Sequence, residues 1–355
     1  MGLGQRSSET ADQAPLVCPC LPSRARPAKR LNQRVPDDVL IYGLLTDAHI
    51  ELGHYQEAEG AAQWMLDLRP GNIPALTRTA YLRELFGDLE GAREVMEDAY
   101  RRTPPQEVED RAWLLTQLAH LQLMAGQVEA AEPLLLQALV IFPHYHYALA
   151  QLAKVRTAQQ RFEEAAELLH ERFLAAPHPE NLFALAEALE RAGRLEEAGL
   201  AFTVFEEQGL RESAGADNAN RELIFYYTDH AGKRIEALRI AGTEIEKRQD
   251  VYTRDAYAWA LFANGQYALA RKQMDVVLSV GVRDAMLFYH AGLMAWKLND
   301  QPAALHYLQE SLTANSRSES ASAVRAALKR LTTSSAVLQA VRQPQVSEPA
   351  ELDSA

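Results

Sequence analysis

The sequence predicts an all-α protein built as an array of helical hairpins. Eight times a small or turn-forming residue is followed five positions later by alanine, and successive alanines stand 33, 34 or 39 residues apart. Between these markers apolar residues recur every third or fourth position, which is helical periodicity. Because a single globular core does not require such regular spacing, we expect stacked repeating units.

Each pair of markers has a specific role in its unit. The turn residue supplies the positive φ that ends the first helix. The alanine lies in the second helix, where a small side chain lets the two helix axes approach closely. A proline follows each of the first four alanines by twelve residues and ends the second helix, since proline cannot continue one. The pairs are Gly53/Ala58, Gly87/Ala92, Gly126/Ala131, Gln160/Ala165, Gly193/Ala198, Gly232/Ala237, Gly265/Ala270 and Asn299/Ala304.

Units of this kind resemble the tetratricopeptide repeat over roughly residues 28 to 330. The resemblance implies a right-handed α-solenoid of about eight repeats with a C-terminal capping helix. It implies a fold much more specifically than an activity. The first and third units carry it most clearly, through Leu45, Gly53, Tyr55, Ala58 and Pro70, and through Leu118, Gly126, Ala131, Ala138 and Pro143.

The pattern divides the chain into four segments. Residues 1–27 are rich in Pro, Arg, Ser and Gly and are expected to be a disordered leader. Residues 28–38 read as a partial upstream repeat, residues 39–333 as the solenoid with its capping helix, and residues 334–355 as a disordered tail. Either the array lacks its first helix at this end, or the start is misassigned and a targeting signal lies upstream.

Composition excludes several classes of function. The net charge of −12 and the pI near 5.4 oppose nucleic-acid binding, which needs a basic surface. No stretch is apolar enough for a membrane span, and the leader lacks the pattern of a signal peptide. The cytoplasm is therefore the expected location. Cys18 and Cys20, both in the leader, provide no disulfide framework for the repeats.

The first helices of such an array line its concave face, and their outward positions form the candidate binding surface. Aromatic and hydrogen-bonding side chains there suit a protein or peptide ligand. The alternative is that several of these residues pack at the seams between repeats. The family's cluster of Lys, Asn and Arg that clamps a terminal carboxylate is not reproduced. The candidate residues are Arg78, Tyr81, Trp113, Gln117, His120, Tyr147, Gln151, Lys154, Tyr226 and Trp259.

No nucleophile motif, phosphate-binding loop or cofactor fingerprint is present. His144 and His146 form the most enzyme-like cluster, but a pair without a third ligand nearby in sequence is a weak metal site. We therefore expect a non-enzymatic interaction scaffold without cofactor or metal. The alternatives are an assembly subunit that uses its convex face or N-terminal end, including self-association, and, remotely, an enzyme with a site near the two histidines.

Overall fold

The helical array is observed in a computed structural model, which describes residues 37–215 and 217–342, with side chains up to residue 333. The expected leader, most of the expected partial repeat and residues 343–355 lie outside the described residues. In the described ranges the chain forms seventeen α-helices, one π turn and no strand. The helices are α1 Val39–Glu51, α2 Tyr55–Leu68, α3 Ile73–Leu85, α4 Leu89–Arg102, α5 Val108–Met124, α6 Val128–Ile141, α7 His146–Ala158, α8 Phe162–Ala175, α9 Pro179–Arg191, α10 Leu195–Glu212, α11 Asn220–Phe225, α12 Arg234–Lys247, α13 Val251–Ala263, α14 Tyr267–Ser279, α15 Ala285–Lys297, α16 Gln301–Ala314 and α17 Ala321–Arg342.

Consecutive helices pack in pairs, from α1 on α2 to α15 on α16, and α17 covers the last pair as a cap. The predicted all-α solenoid of eight hairpins with a capping helix is thus confirmed. The sixth hairpin is the least regular, because its first helix α11 is short and continues into the π turn Tyr226–His230. The cap α17 runs on to Arg342, past the point where the sequence pattern begins the tail.

The turn residues and alanines occupy the places that the sequence predicts for them. All eight turn residues have positive φ, including the non-glycine residues Gln160 and Asn299, each with φ of 60°. All eight alanines are at most 3% exposed. These two features allow close contact within each hairpin, because the backbone reverses sharply and no larger side chain separates the helices.

The two longer spacings lengthen helices as well as connections. After α4 ends at Arg102, the extra residues form a short loop and extend α5 to 17 residues. The second insertion extends α10 to 18 residues, while most other helices have 13 or 14. The insertions therefore leave the hairpin pattern intact on both sides.

Side-chain caps define where several first helices begin. Asp38 accepts a hydrogen bond from the Leu40 N–H at 2.8 Å, and Asp284 accepts one from the Met286 N–H at 2.7 Å. Asn72 and Asp250 cap α3 and α13 in the same way. Such caps satisfy amide groups that have no partner inside the helix.

The superhelix completes one turn and then packs against its own beginning. The loop between α12 and α13 contacts the turn of the first hairpin, where the Gln249 N–H donates to the Glu51 carbonyl at 2.7 Å. The Tyr55 hydroxyl accepts a hydrogen bond from the Val251 N–H at 2.9 Å. Two hairpins later, the Asn315 amide donates to the Leu123 carbonyl at 2.9 Å. Units six to eight therefore lie over units one to three.

Apolar and charged contacts both join the two superhelical turns. Ile50 and Leu85 share one buried cluster with Val251 and Leu287. Beside it, the Arg248 side chain lies 3.3 Å from the Glu51 carboxylate and 3.5 Å from that of Glu244. Burial raises the pKa of Glu51 to about 7, although Arg248 opposes the shift. The interior of the superhelix is therefore bordered by protein from both superhelical turns.

Ala131→Leu should lower the free energy of unfolding by about 1–3 kcal/mol, because the buried site between α5 and α6 has no space for three further carbons. Ala130→Leu adds the same atoms at the neighbouring exposed position and should be close to neutral. Chemical denaturation measures both changes. Equal effects would contradict the helix registration described above.

Gly87→Ala should destabilise the protein more than Gly193→Ala. Both glycines have φ near 80°, so the backbone strain caused by alanine is about the same at the two positions. A methyl group at position 87 would lie 2.5 Å from the Gly281 carbonyl oxygen, whereas nothing lies within 4 Å at position 193. The difference in the free energy of unfolding should be about 1–3 kcal/mol. No difference would mean that the two superhelical turns do not touch in solution.

Candidate partner-binding groove

Six of the predicted site residues form two short rows on neighbouring first helices. Trp113, Gln117 and His120 lie on α5, and their counterparts one repeat later lie on α7. Residues at corresponding positions of stacked hairpins face the same side of the solenoid. The two rows therefore form one patch, called here the α5/α7 patch, which consists of Trp113, Gln117, His120, Tyr147, Gln151 and Lys154.

Polar groups in the α5/α7 patch are not all used by the fold. The Trp113 indole N–H is shielded from water and has no hydrogen-bond acceptor among the described residues. The Gln151 side-chain oxygen is also shielded from water and accepts no hydrogen bond from the described residues. His120 differs, because its Nε2 lies 3.0 Å from the buried Glu84 carboxylate. Leaving buried polar groups unpaired costs about 1–3 kcal/mol each, so such groups are candidates for ligand contacts.

The other predicted residues are held by contacts within the chain. Arg78 donates two hydrogen bonds to Asp47, at 2.7 and 2.6 Å, and a third to the Pro74 carbonyl. Tyr81 packs beside the cluster that joins the two superhelical turns, and burial raises the pKa of its hydroxyl well above its usual value. Both residues thus contribute to internal structure near the start of the array.

Tyr226 lies in the π turn of the sixth hairpin, and Trp259 lies on α13, the first helix of the seventh. The Tyr226 ring stacks on Phe202 with ring centres 5.1 Å apart. The Trp259 ring stacks on His290 at 4.1 Å, and its N–H donates to Asp229 at 2.8 Å. These aromatic side chains are therefore ordered by neighbours inside the superhelix.

One functional candidate was missed because it lies on a second helix. Arg172 is near the end of α8, close enough to Tyr147 and Glu180 for electrostatic interaction. Its Nε is shielded from water and has no hydrogen-bond acceptor among the described residues. The sequence pattern assigns the groove to first helices alone, so it contains no signal that places this cation beside the α5/α7 patch.

The two histidines at the junction before α7 behave differently from each other. His144 is exposed and its Nδ1 lies 2.6 Å from Glu171, whereas His146 is half-buried against the Tyr147 ring. Burial, with Arg172 and His178 nearby, lowers the pKa of His146 to about 4. Within residues 37–215 and 217–333, no group of three or more His, Cys, Asp or Glu side chains is arranged to hold a metal ion.

The fold is that of a helical repeat protein, a class of fold that suggests a scaffold for protein–protein interaction. Residues 44–107, 151–209 and 256–321 match the model of the tetratricopeptide repeat family, and together they make up more than half of the chain. The chain therefore belongs to the tetratricopeptide repeat family. No described helix has the length and apolarity required to cross a membrane.

The similar solved structures have low sequence identity to this chain. A tetratricopeptide repeat protein from Parabacteroides merdae is 20% identical over 73% of this chain and 98% of its own, with a TM-score of 0.43. The human IFIT1 dimer with PPP-AAAA is 15% identical over 81% of this chain and 67% of its own, with a TM-score of 0.50. Yeast Tom70 is 10% identical over 91% and 93%, with a TM-score of 0.41. No curated protein matches the sequence.

Proposed function

We propose that the chain is a non-enzymatic scaffold that binds an extended peptide or a partner's helix in its concave groove, without cofactor or metal. The α5/α7 patch is the proposed centre of that groove. The proposed surface also includes four residues that lie outside the α5/α7 patch, namely Arg78, Tyr81, Tyr226 and Trp259. Their internal contacts hold them in defined orientations, which lowers the entropy lost on binding.

The observation that supports this proposal best is the unused hydrogen-bonding capacity of the α5/α7 patch. A peptide backbone offers both donors and acceptors, so it can pair with the Trp113 N–H and with the Gln151 oxygen. Both side chains are only partly buried, so we expect small rotations to make these shielded atoms accessible to a ligand. Aromatic anchors such as Trp113 commonly supply much of the affinity in protein interfaces.

Gln117→Trp combined with Gln151→Trp should abolish capture of the natural partner, because two large rings would fill the proposed groove without changing its charge. The matched control is Gln63→Trp with Gln309→Trp, at exposed positions on second helices. Pull-down from the source cell followed by mass spectrometry identifies the partner, and circular dichroism confirms that both variants keep their helices. Unchanged capture by the first variant would contradict the groove proposal.

A second candidate function is assembly through the N-terminal end of the array. An open hollow of about 430 Å³ lies there between α1 and α2, lined by Tyr42, Leu45 and Trp64 among others. The Tyr42 and Trp64 rings are 6.0 Å apart, and 42% of Trp64 and 74% of nearby Leu40 are exposed. Exposed apolar patches of this kind are typical of protein interfaces.

Leu40→Asp with Trp64→Asp should convert any self-associated protein into monomers if this end forms the interface. Leu174→Asp with Leu200→Asp introduces the same charge on second helices, where both leucines are about 70% exposed. Light scattering after size-exclusion chromatography gives the mass of each. Dissociation by the second pair alone would assign assembly to the convex face, and a monomeric parent chain would remove the self-association alternative.

A further inference from the structure

Two acidic side chains approach one guanidinium group where the two superhelical turns meet. Glu51 is the last residue of α1, Glu244 lies in the last turn of α12, and Arg248 directly follows α12. The Arg248 Nε is 3.3 Å from the Glu51 Oε2 and 3.5 Å from the Glu244 Oε1. These three side chains, called here the seam cluster, are only 5–15% exposed.

The carboxylate oxygens that face Arg248 are not fully satisfied. The Glu51 Oε2 and the Glu244 Oε1 are both shielded from water, and neither accepts a hydrogen bond from the described residues. The Nε of an arginine carries one hydrogen, so it can align with only one of the two oxygens at a time. Two buried carboxylates beside one guanidinium group are costly when both are ionised. A proton on one of them would remove most of that cost.

Glu51 is better suited than Glu244 to hold this proton. The second oxygen of Glu244 accepts a hydrogen bond from the Asn220 amide at 2.8 Å, and the Lys247 ammonium lies 3.9 Å from it. Both contacts favour the ionised form of Glu244. Among the described residues, Arg248 is the only cation within 4.0 Å of Glu51. Glu51 also lies at the C-terminal end of a helix, where the helix dipole disfavours a negative charge.

Other ionisable groups around the seam cluster act on Glu51 in the same direction. Burial is the largest cause that raises the pKa of Glu51 to about 7, Arg248 opposes the shift, and the nearby acids add to it. Ionisable groups border the seam on every side: Asp47 and His49 on α1, Tyr55 on α2, Glu244, Lys247 and Arg248 at the end of α12, and Asp250 in the loop that follows.

The contact between the two superhelical turns is what buries Glu51. The Gln249 N–H donates to the Glu51 carbonyl, and the Val251 N–H donates to the Tyr55 hydroxyl, so the chain after α12 is held against the first hairpin. The same contact brings Arg248 and Glu244 to Glu51. If the seam opened, Glu51 would return to water, where its pKa has the ordinary value of 4.5. The closed seam therefore binds a proton more tightly than an open one.

We propose that Glu51 is a proton-operated latch, which tightens the contact between the first and sixth hairpins when Glu51 is protonated and loosens it when Glu51 is ionised. The raised pKa of Glu51 fixes the sign: the stabilising effect is complete below about pH 4.5 and is lost as the pH rises through about 7. Between pH 8 and pH 6 the ratio of closed to open seam should rise about tenfold. The latch is independent of the groove proposal, because it involves no ligand.

Amide hydrogen exchange at Gln249 and Val251 measures the seam directly, since both N–H groups donate across it. The protection factor is the exchange rate of the amide in an unfolded peptide divided by its rate in the protein at the same pH. In the parent chain this factor should rise about tenfold from pH 8 to pH 6. In Glu51→Gln, which is neutral at every pH, it should be high at both. The matched control, Glu59→Gln, removes an exposed carboxylate of α2 and should keep the parent's pH dependence.

Glu244→Gln provides a readout that a merely structural role of Glu51 would not change. With one carboxylate fewer beside Arg248, the pKa of Glu51 should fall, so the midpoint of the pH dependence should move to lower pH. Circular dichroism shows that each variant keeps its helices. A constant protection factor in the parent chain between pH 8 and pH 6, or the parent's pH dependence in Glu51→Gln, would overturn the latch. An equal change in α8, which lies away from the seam, would also overturn it.

Discussion

Close contact between the two helices of each hairpin is the constraint on which the whole structure depends. A residue with positive φ reverses the chain in few residues, and an alanine five positions later lies where the helices meet. Because the same contact recurs eight times, each unit is rotated by a similar amount relative to the last, and the rotations accumulate into a superhelix. The glycine and alanine markers thus determine a global shape through a local packing distance.

The accumulated rotation brings distant parts of the chain together. After about one superhelical turn, the loops that follow α12, α14 and α16 touch the turns of the first three hairpins. Glycine is consequently favoured at positions 53 and 87 for two reasons. The residue there has positive φ, and it must leave space for a backbone from the next superhelical turn. Contacts of this kind give a repeat array some of the long-range cooperativity of a globular domain.

The enclosure changes the electrostatics of the interior. Glu319 and Asp284, which belong to later units, act electrostatically on Lys154, so charges of the interior interact across the superhelix as well as along it. Among the described residues, Glu84 pairs with His120 and Asp255 with His290, whereas Lys154 and Arg172 form no ion pair.

The sequence by itself determined the units. Periodicity, turn residues and buried alanines are local features, and Gln160 and Asn299 could be placed in turns because the spacing required a turn there. The two rows of the α5/α7 patch are likewise a prediction from the sequence, since residues one repeat apart occupy equivalent positions. Only the tertiary structure decided which contacts the candidate residues make within the chain. Distances between units determine that Arg78 is held by Asp47 and that Trp259 stacks on His290. Those distances arise from rotations summed over many repeats, and no local pattern contains that sum.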